Sequence, residues 1–154
     1  MNREDEDGRF LLCRIGSCIG ALAVKDVRET MRPLPIEPLS GAPPFVLGLA
    51  IVRGSPTPVI DAGRLLGSSA SSPARFISLK LEERAAVLAV DAVLDIRPLP
   101  KGILVDTPPL LREADQGLIS VIGALDTKLL VVLEAARLVP DSIWSSIKLE
   151  EAPA

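Results

Sequence analysis

The sequence predicts an all-β (mainly β) protein, with two small β-barrels that arise from an internal duplication and share a core, plus short helices and a C-terminal helix. Three observations predict it. Hydrophobic residues make up 48% of the 154, yet they include three Phe, one Trp and no Tyr, so the core must be Val, Leu, Ile and Ala. The apolar runs are strand-length and are punctuated by glycine and proline about every ten residues, as in barrels rather than βαβ units. The same order of segments occurs twice, and internal similarity of this kind bears directly on fold.

The first segment, "RFLLCRI" at Arg9, returns as "RFISLKL" at Arg75, 66 residues later. Each is a short apolar run suited to a strand buried on both faces. The second, "AVKDV" at Ala23, returns as "AVDAV" at Ala89, again 66 later. Next comes Arg32-Pro33-Leu34-Pro35, repeated as Arg97-Pro98-Leu99-Pro100 after 65 residues. Two prolines remove two donors and fix φ, so each copy marks a strand exit.

"GLAIVRG" (Gly48 to Gly54) faces "GLISVIG" (Gly117 to Gly123), an offset of 69, and each begins a hairpin. The first hairpin is expected to turn at Gly54-Ser55-Pro56 and the second at Leu125-Asp126-Thr127-Lys128. "VIDAGRLLG" (Val59 to Gly67) faces "VLEAARLVP" (Val132 to Pro140), an offset of 73. Each is a returning strand that runs into a short helix, with Asp61 or Glu134 as the cap and Arg in the last turn.

The polar "GSSASSPA" (Gly67 to Ala74) connects the halves and is too short to let them separate. After Pro140, Asp141 caps a helix whose Ile143, Trp144 and Ile147 lie at helical spacing, as needed to dock one apolar face. The expected organisation is an acidic disordered tail at 1–8, a domain at 9–140, and a C-terminal helix and tail at 141–154. Within the domain, the repeat units span about 9–67 and 75–140. A chain of this length can bury roughly 68–70% of its unfolded surface, enough for a core without disulfides.

Composition excludes much chemistry. With no histidine, the chain lacks Ser-His-Asp and Cys-His catalysis and His-ligated zinc. A net charge of −3 and few aromatics argue against nucleic-acid binding. Cys13 and Cys18 have no metal or redox spacing and are expected as small reduced core residues. No apolar run approaches about 18 residues, and the acidic start lacks a signal core, so neither direct membrane insertion nor secretion is expected. The expectation is a cytoplasmic, non-enzymatic protein with no catalytic residue, metal or cofactor. Carboxylates do recur at run ends (Asp61, Asp91, Asp95, Asp106, Asp126 and Glu134). They keep open a minor alternative, a small-ligand-binding or hydrolytic double barrel.

"PPFVLGLAIVRGSPTPVIDAGRLLG" (Pro43 to Gly67) resembles the signature of the CheW-like chemotaxis adaptor (coupling protein) family. In that family an Arg-Gly stretch precedes a Pro-Val-Ile-Asp strand and a short helix. Here these are Arg53-Gly54, Pro58 to Asp61, and Ala62 to Leu66. "VKDVRETMRPLPIEPL" and "VLAVDAVLDI" resemble flanking parts of the family, so the resemblance covers about Phe10 to Pro140. The chain departs from it where Ile51-Val52 replaces Asn-Leu, and where Val87 or Leu88 replaces a glycine.

The resemblance implies two SH3-like five-stranded barrels on a shared core, acting as an adaptor in a chemosensory array. One surface would meet the regulatory domain of a CheA-type histidine kinase, and another the cytoplasmic tip of a methyl-accepting chemoreceptor. That implies a cytoplasmic protein recruited to membrane receptor arrays. A chain this short, beginning with Met and lacking a kinase core, is expected to be free-standing. A related module serving a non-motility chemosensory pathway would share the same features. The kinase-binding candidates are Gly48, Arg53, Gly54 and Pro58. The receptor-binding candidates are Val27, Glu29 and Ile96, with Val27 and Ile96 taken as corresponding or nearby positions of the two halves. Glu29 and Arg53 are expected close together, on the partner-facing side.

Overall fold

The computed structural model describes residues 8–67, 73–99, 104–106, 119–125 and 127–145. The expected acidic tail, most of the 67–74 connector and the chain beyond 145 lie outside them. Among the described residues there are eleven strands: β1 (Arg9–Ile15), β2 (Cys18–Ala23), β3 (Val27–Met31), β4 (Val46–Val52), β5 (Ser55–Asp61), β6 (Arg75–Leu81), β7 (Arg84–Val90), β8 (Ala92–Pro98), β9 (Leu104–Asp106), β10 (Ile119–Leu125) and β11 (Lys128–Leu133). Helix α1 (Ala62–Leu65) follows β5, and a helical turn, α2, covers 141–145. The strands form a six-stranded sheet, β8-β1-β2-β11-β10-β9, and a five-stranded sheet, β3-β6-β7-β5-β4.

Moving each strand of the five-stranded sheet to its repeat partner reproduces the order β8-β1-β2-β11-β10. The irregularities repeat too. A bulge leaves Arg28 unpaired in β3, between Val27↔Leu79 and Glu29↔Ser78. Its counterpart leaves Leu94 unpaired in β8, between Cys13↔Val93 and Leu12↔Asp95. A second pair of bulges falls at Leu47 in β4 and Ser120 in β10. The extra strand β9 also has a counterpart, because Val105 pairs with Ile122 where Glu37 makes a single bridge to Leu49. Bulges bend and twist a strand, so this set gives both sheets the same curl.

Repeat unit and sheet are nevertheless different things. The hairpin β1–β2 joins the sheet built from β8 to β11, while β6–β7 joins the sheet built from β3 to β5. Parallel pairings β2–β11 and β5–β7 hold each exchanged hairpin in place. Both units therefore contribute to both sheets, and neither sheet can form from one unit alone.

Exchange explains why the strands are apolar on both faces. Leu11, Cys13 and Ile15 enter a central core between the sheets, together with Ile77, Leu79 and Leu88. Leu12, alternating with them, enters a second cluster with Ile19, Ala21, Leu130 and Val132. Phe76 and Val87 do the same for the five-stranded sheet, with Ala50, Val52 and Val59. A strand alternates side chains between two faces, and here both faces are dry. Ile143 of α2 is 4% exposed in the central core, with Trp144 packed against it. Ile143 and Trp144 thus dock as expected of the C-terminal helix, while Ile147 lies outside the described residues.

The β4–β5 hairpin turns one residue earlier than expected, at Arg53-Gly54, where φ is +51° and +82°. Positive φ at both positions suits a two-residue hairpin loop with the right-handed strand twist. In such a hairpin the closing pair Val52↔Ser55 is hydrogen-bonded, so bonded pairs recur at Ala50↔Thr57. Pro56 and Pro58 fall between them, where their missing N–H groups face away from β4. Pairing with β7 begins only at Val59.

The second hairpin closes at Leu125↔Lys128. The structural offset between the hairpins is therefore 73 throughout, from Val52 to Leu125 and from Ser55 to Lys128. The 69-residue match of the two glycine-bounded strings does not correspond to equivalent places. Strand exits fall as expected, since β3 ends at Met31 and β8 at Pro98. Asp61 caps α1, accepting from the Arg64 N–H at 3.3 Å. Glu134 makes no side-chain cap, and its helix is a 3-10 turn over Ala135–Arg137.

Candidate partner-binding surface

β3 and β4 are opposite edges of the five-stranded sheet. The hairpin tip nevertheless reaches Glu29 on β3. Arg53 donates from Nε at 2.9 Å and from Nη2 at 2.7 Å, both to Glu29 Oε2. The pair bridges the seam of the curled sheet, and Glu29 and Arg53 lie together as expected. Their side chains are 37% and 63% exposed. An exposed pair contributes about 0–1 kcal/mol, so it does little to hold the fold and leaves charge at the surface.

The other candidates are placed differently. Gly48 is buried in β4 with φ +142°, and a Cβ there would run into the Glu37 carbonyl. The neighbouring Leu49 exchanges two 2.8 Å backbone bonds with Glu37, so Gly48 permits a close crossing of two chains. Pro58 is also buried. These two shape the hairpin, and its accessible residues are Arg53 and Gly54. Val27 is half-buried against the central core, whereas Ile96 is 51% exposed on β8. The two are not equivalent positions. Register places Val27 with Val93, and Ile96 with Thr30, because Thr30 faces Ile77 and Ile96 faces Leu11.

Sequence reasoning missed two residues beside the tip. Arg84, at the start of β7, lies 4.9 Å from the centre of the Trp144 ring. Together they flank an open groove of about 540 Å³ that also takes in Arg28, Arg53 and Pro56. An adjoining groove of about 800 Å³ runs between the sheets past Asp26, Glu82, Glu134 and Trp144. Burial holds the Asp26 carboxyl above its ordinary 3.8; Lys25 opposes this and Glu134 adds to it. The signal for Arg84 was its turn, Glu82-Glu83, but only the tertiary structure brings α2 over it.

Of the recurring carboxylates, Asp61, Asp91 and Asp95 have separate local settings, while Asp126 and the Asp106 side chain lie outside the described residues. Asp61 is the buried cap of α1. Asp91, where the chain crosses between sheets, accepts from the Gly16 N–H at 2.7 Å and donates its own N–H to Arg14 O at 3.0 Å. Asp95 accepts from its neighbour, the Ile96 N–H, at 2.8 Å. Among the described residues no three His, Cys, Asp or Glu converge as a metal site. Cys13 is buried, and burial pushes its thiol up to about 12, with a backbone hydrogen bond at Gly20 opposing the rise and the Asp91 charge adding to it. That thiol stays neutral and unreactive. Cys18 is only half-buried, and both cysteines are free. Among the described residues no helix is long and apolar enough to cross a membrane.

The family model for the CheW-like domain matches residues 9–142. The chemotaxis protein CheW of Rhizobium meliloti (strain 1021) is 28% identical over 152 residues, covering 94% of this chain and 93% of that protein. The probable chemotaxis protein CheW of Rhizobium etli is 28% identical over 138 residues, covering 86% and 87%. In structure, the chain is similar to the scaffolding protein TtCheW from Thermoanaerobacter tengcongensis. The TM-score is 0.72 at 23% identity, with 86% of this chain and 92% of that one covered.

Proposed function

The chain belongs to the CheW-like domain family, a family of scaffolds rather than enzymes, and from that premise we propose that it couples a chemoreceptor to a CheA-type histidine kinase in a cytoplasmic chemosensory array. The observation that carries this reading is the exposed Arg53–Glu29 pair at the seam of the five-stranded sheet. A planar guanidinium on a rigid two-residue turn is pre-oriented for a partner's carboxylate or backbone carbonyl. It costs little to redirect, because the internal pair contributes little to stability. In this reading Arg53 and Gly54 form the kinase-facing tip, while Val27, Glu29 and Ile96 belong to the receptor-facing side. Modest interfaces suffice, since array neighbours supply avidity.

Arg53→Glu tests the reading. Capture of the kinase regulatory domain from the native cell should fall at least about tenfold, a loss of 1.4 kcal/mol or more. The melting temperature should stay within about 2 °C of the parent, as expected for an exposed pair. Recovery of neither a kinase nor a receptor with the parent protein would remove the adaptor reading. The identity of the captured receptor separates a motility pathway from another output.

A further inference from the structure

β3 and β8 are matching edge strands of the two sheets, but they are not equally covered. In β3 every residue except Arg28 is half-buried, and the hairpin tip reaches across to Glu29. In β8 the whole run from Leu94 to Pro98 is exposed, with Leu94 at 50% and Ile96 at 51%. An exposed edge strand that carries large apolar side chains is a template for pairing with another chain.

The groups along this edge point in defined directions. Pro98 has no N–H to donate, and a proline in an edge strand sits where that N–H would face outward. Ile96, two residues earlier, turns its N–H the same way, and the Asp95 carboxylate holds it at 2.8 Å. Side chains alternate too. Asp95 and Arg97, opposite Leu12 and Phe10, share one face, while Ile96, opposite Leu11, is on the other. Among the described residues neither Asp95 nor Arg97 has an ion-pair partner.

We propose that the partner of this edge is a second copy of the chain, whose β8 adds antiparallel about a two-fold axis through Ile96. That register sets Ile96 opposite Ile96 of the second copy. Asp95 then faces Arg97 of the second copy, and Arg97 faces its Asp95, so symmetry makes the charge pair twice. Leu94 comes beside Pro98 at either end. Moving the axis by one residue sets Asp95 against Asp95 or Arg97 against Arg97, and like charges directly opposite are destabilising. The Ile96 N–H exchanges its local bond for the Ile96 carbonyl across the axis, which frees Asp95 for the arginine. Pro98 offers no donor, so the pairing stays short, and a two-fold contact uses up the edge and closes at a dimer. This inference does not depend on the adaptor reading. Ile96 is also a receptor-facing candidate, so pairing between copies withdraws it from that side.

The test is sedimentation equilibrium of the full chain under reducing conditions, which keep Cys13 and Cys18 from linking copies. The parent should show a concentration-dependent equilibrium between monomer and dimer. Asp95→Arg and Arg97→Asp each set like charges opposite, and each should raise the dimer dissociation constant at least about tenfold. Combining the two restores opposite signs and should return the constant to within about threefold of the parent. Independently, Ile96→Cys should cross-link to itself on mild oxidation. Residues directly opposite in a bonded pair have Cα atoms about 5.5 Å apart, within disulfide reach. Leu94→Cys should cross-link no more than the parent. The inference is overturned by a parent that stays monomeric throughout its soluble range, or by a dimer indifferent to either charge reversal. A double variant that stays monomeric, or an Ile96→Cys chain that cross-links no more than the parent, also overturns it. Each of these results leaves the adaptor reading standing.

Discussion

The two sheets share strand order, bulges and hairpin closures, yet equivalent positions carry different chemistry. Leu12 fills the interior of the six-stranded sheet at 1% exposure. Its counterpart Ser78 is 0% exposed, and its hydroxyl has no partner among the described residues. Glu29 has Arg53, whereas among the described residues Asp95 has no equivalent cation. At the crossings between sheets, Asp91 ties down the β1–β2 turn while its counterpart Lys25 sits exposed in a 3-10 turn. Backbone geometry has thus been kept where the side chains have diverged. Register and curl depend on bulges and alternation, which tolerate many residues, whereas seams and crossings depend on particular charges.

Exchanging residues between equivalent sites probes that comparison. Leu12→Ser, which writes the chemistry of one interior into the other, should cost about 3–5 kcal/mol through a cavity and a buried hydroxyl. Denaturant unfolding measures it, and a cost below about 1 kcal/mol would mean that the interior around Leu12 tolerates a serine as the interior around Ser78 does, erasing the contrast. Asp91→Ala should cost about 1–2 kcal/mol, the loss of a charge-assisted bond to the Gly16 N–H. Lys25→Ala at the matching crossing should be close to neutral, and equal effects would erase the distinction between the crossings. Smallest is Ser78→Ala, which removes an unpaired buried hydroxyl and should raise stability by up to about 1 kcal/mol. A loss instead would show that the hydroxyl is satisfied in solution.

Arg53→Glu sharpens the same contrast at the surface. It acts on a seam closed within the chain and leaves the core untouched, so it should alter binding far more than melting.

Much of the fold was legible because its signals are local. Apolar runs of seven residues such as Arg9–Ile15 and Arg75–Leu81 became strands buried on both faces. Proline pairs ended β3 and β8, and Asp61 capped its helix. Of the candidate surface, the closeness of Glu29 and Arg53 was expected from their opposite charges, but the curl that brings the hairpin tip to β3 was not legible. The burial of Gly48 and Pro58 was not legible either, because it depends on the segment around Glu37 crossing β4. Nor was the non-equivalence of Val27 and Ile96, because short matched strings tolerate small shifts that a register does not.

By itself, then, the sequence determined most of the strand segments, their turns to within a residue, and that one plan is written twice; each follows from φ/ψ preference and alternation within a few residues. Only the tertiary structure decided that the leading hairpins exchange sheets, that the β4–β5 tip meets the far edge, and that Asp95 has no such partner among the described residues. A strand apolar on both faces carries no mark of its neighbour. The parallel pairings β2–β11 and β5–β7 are made between residues far apart in the chain, and only packing against the shared core selects them.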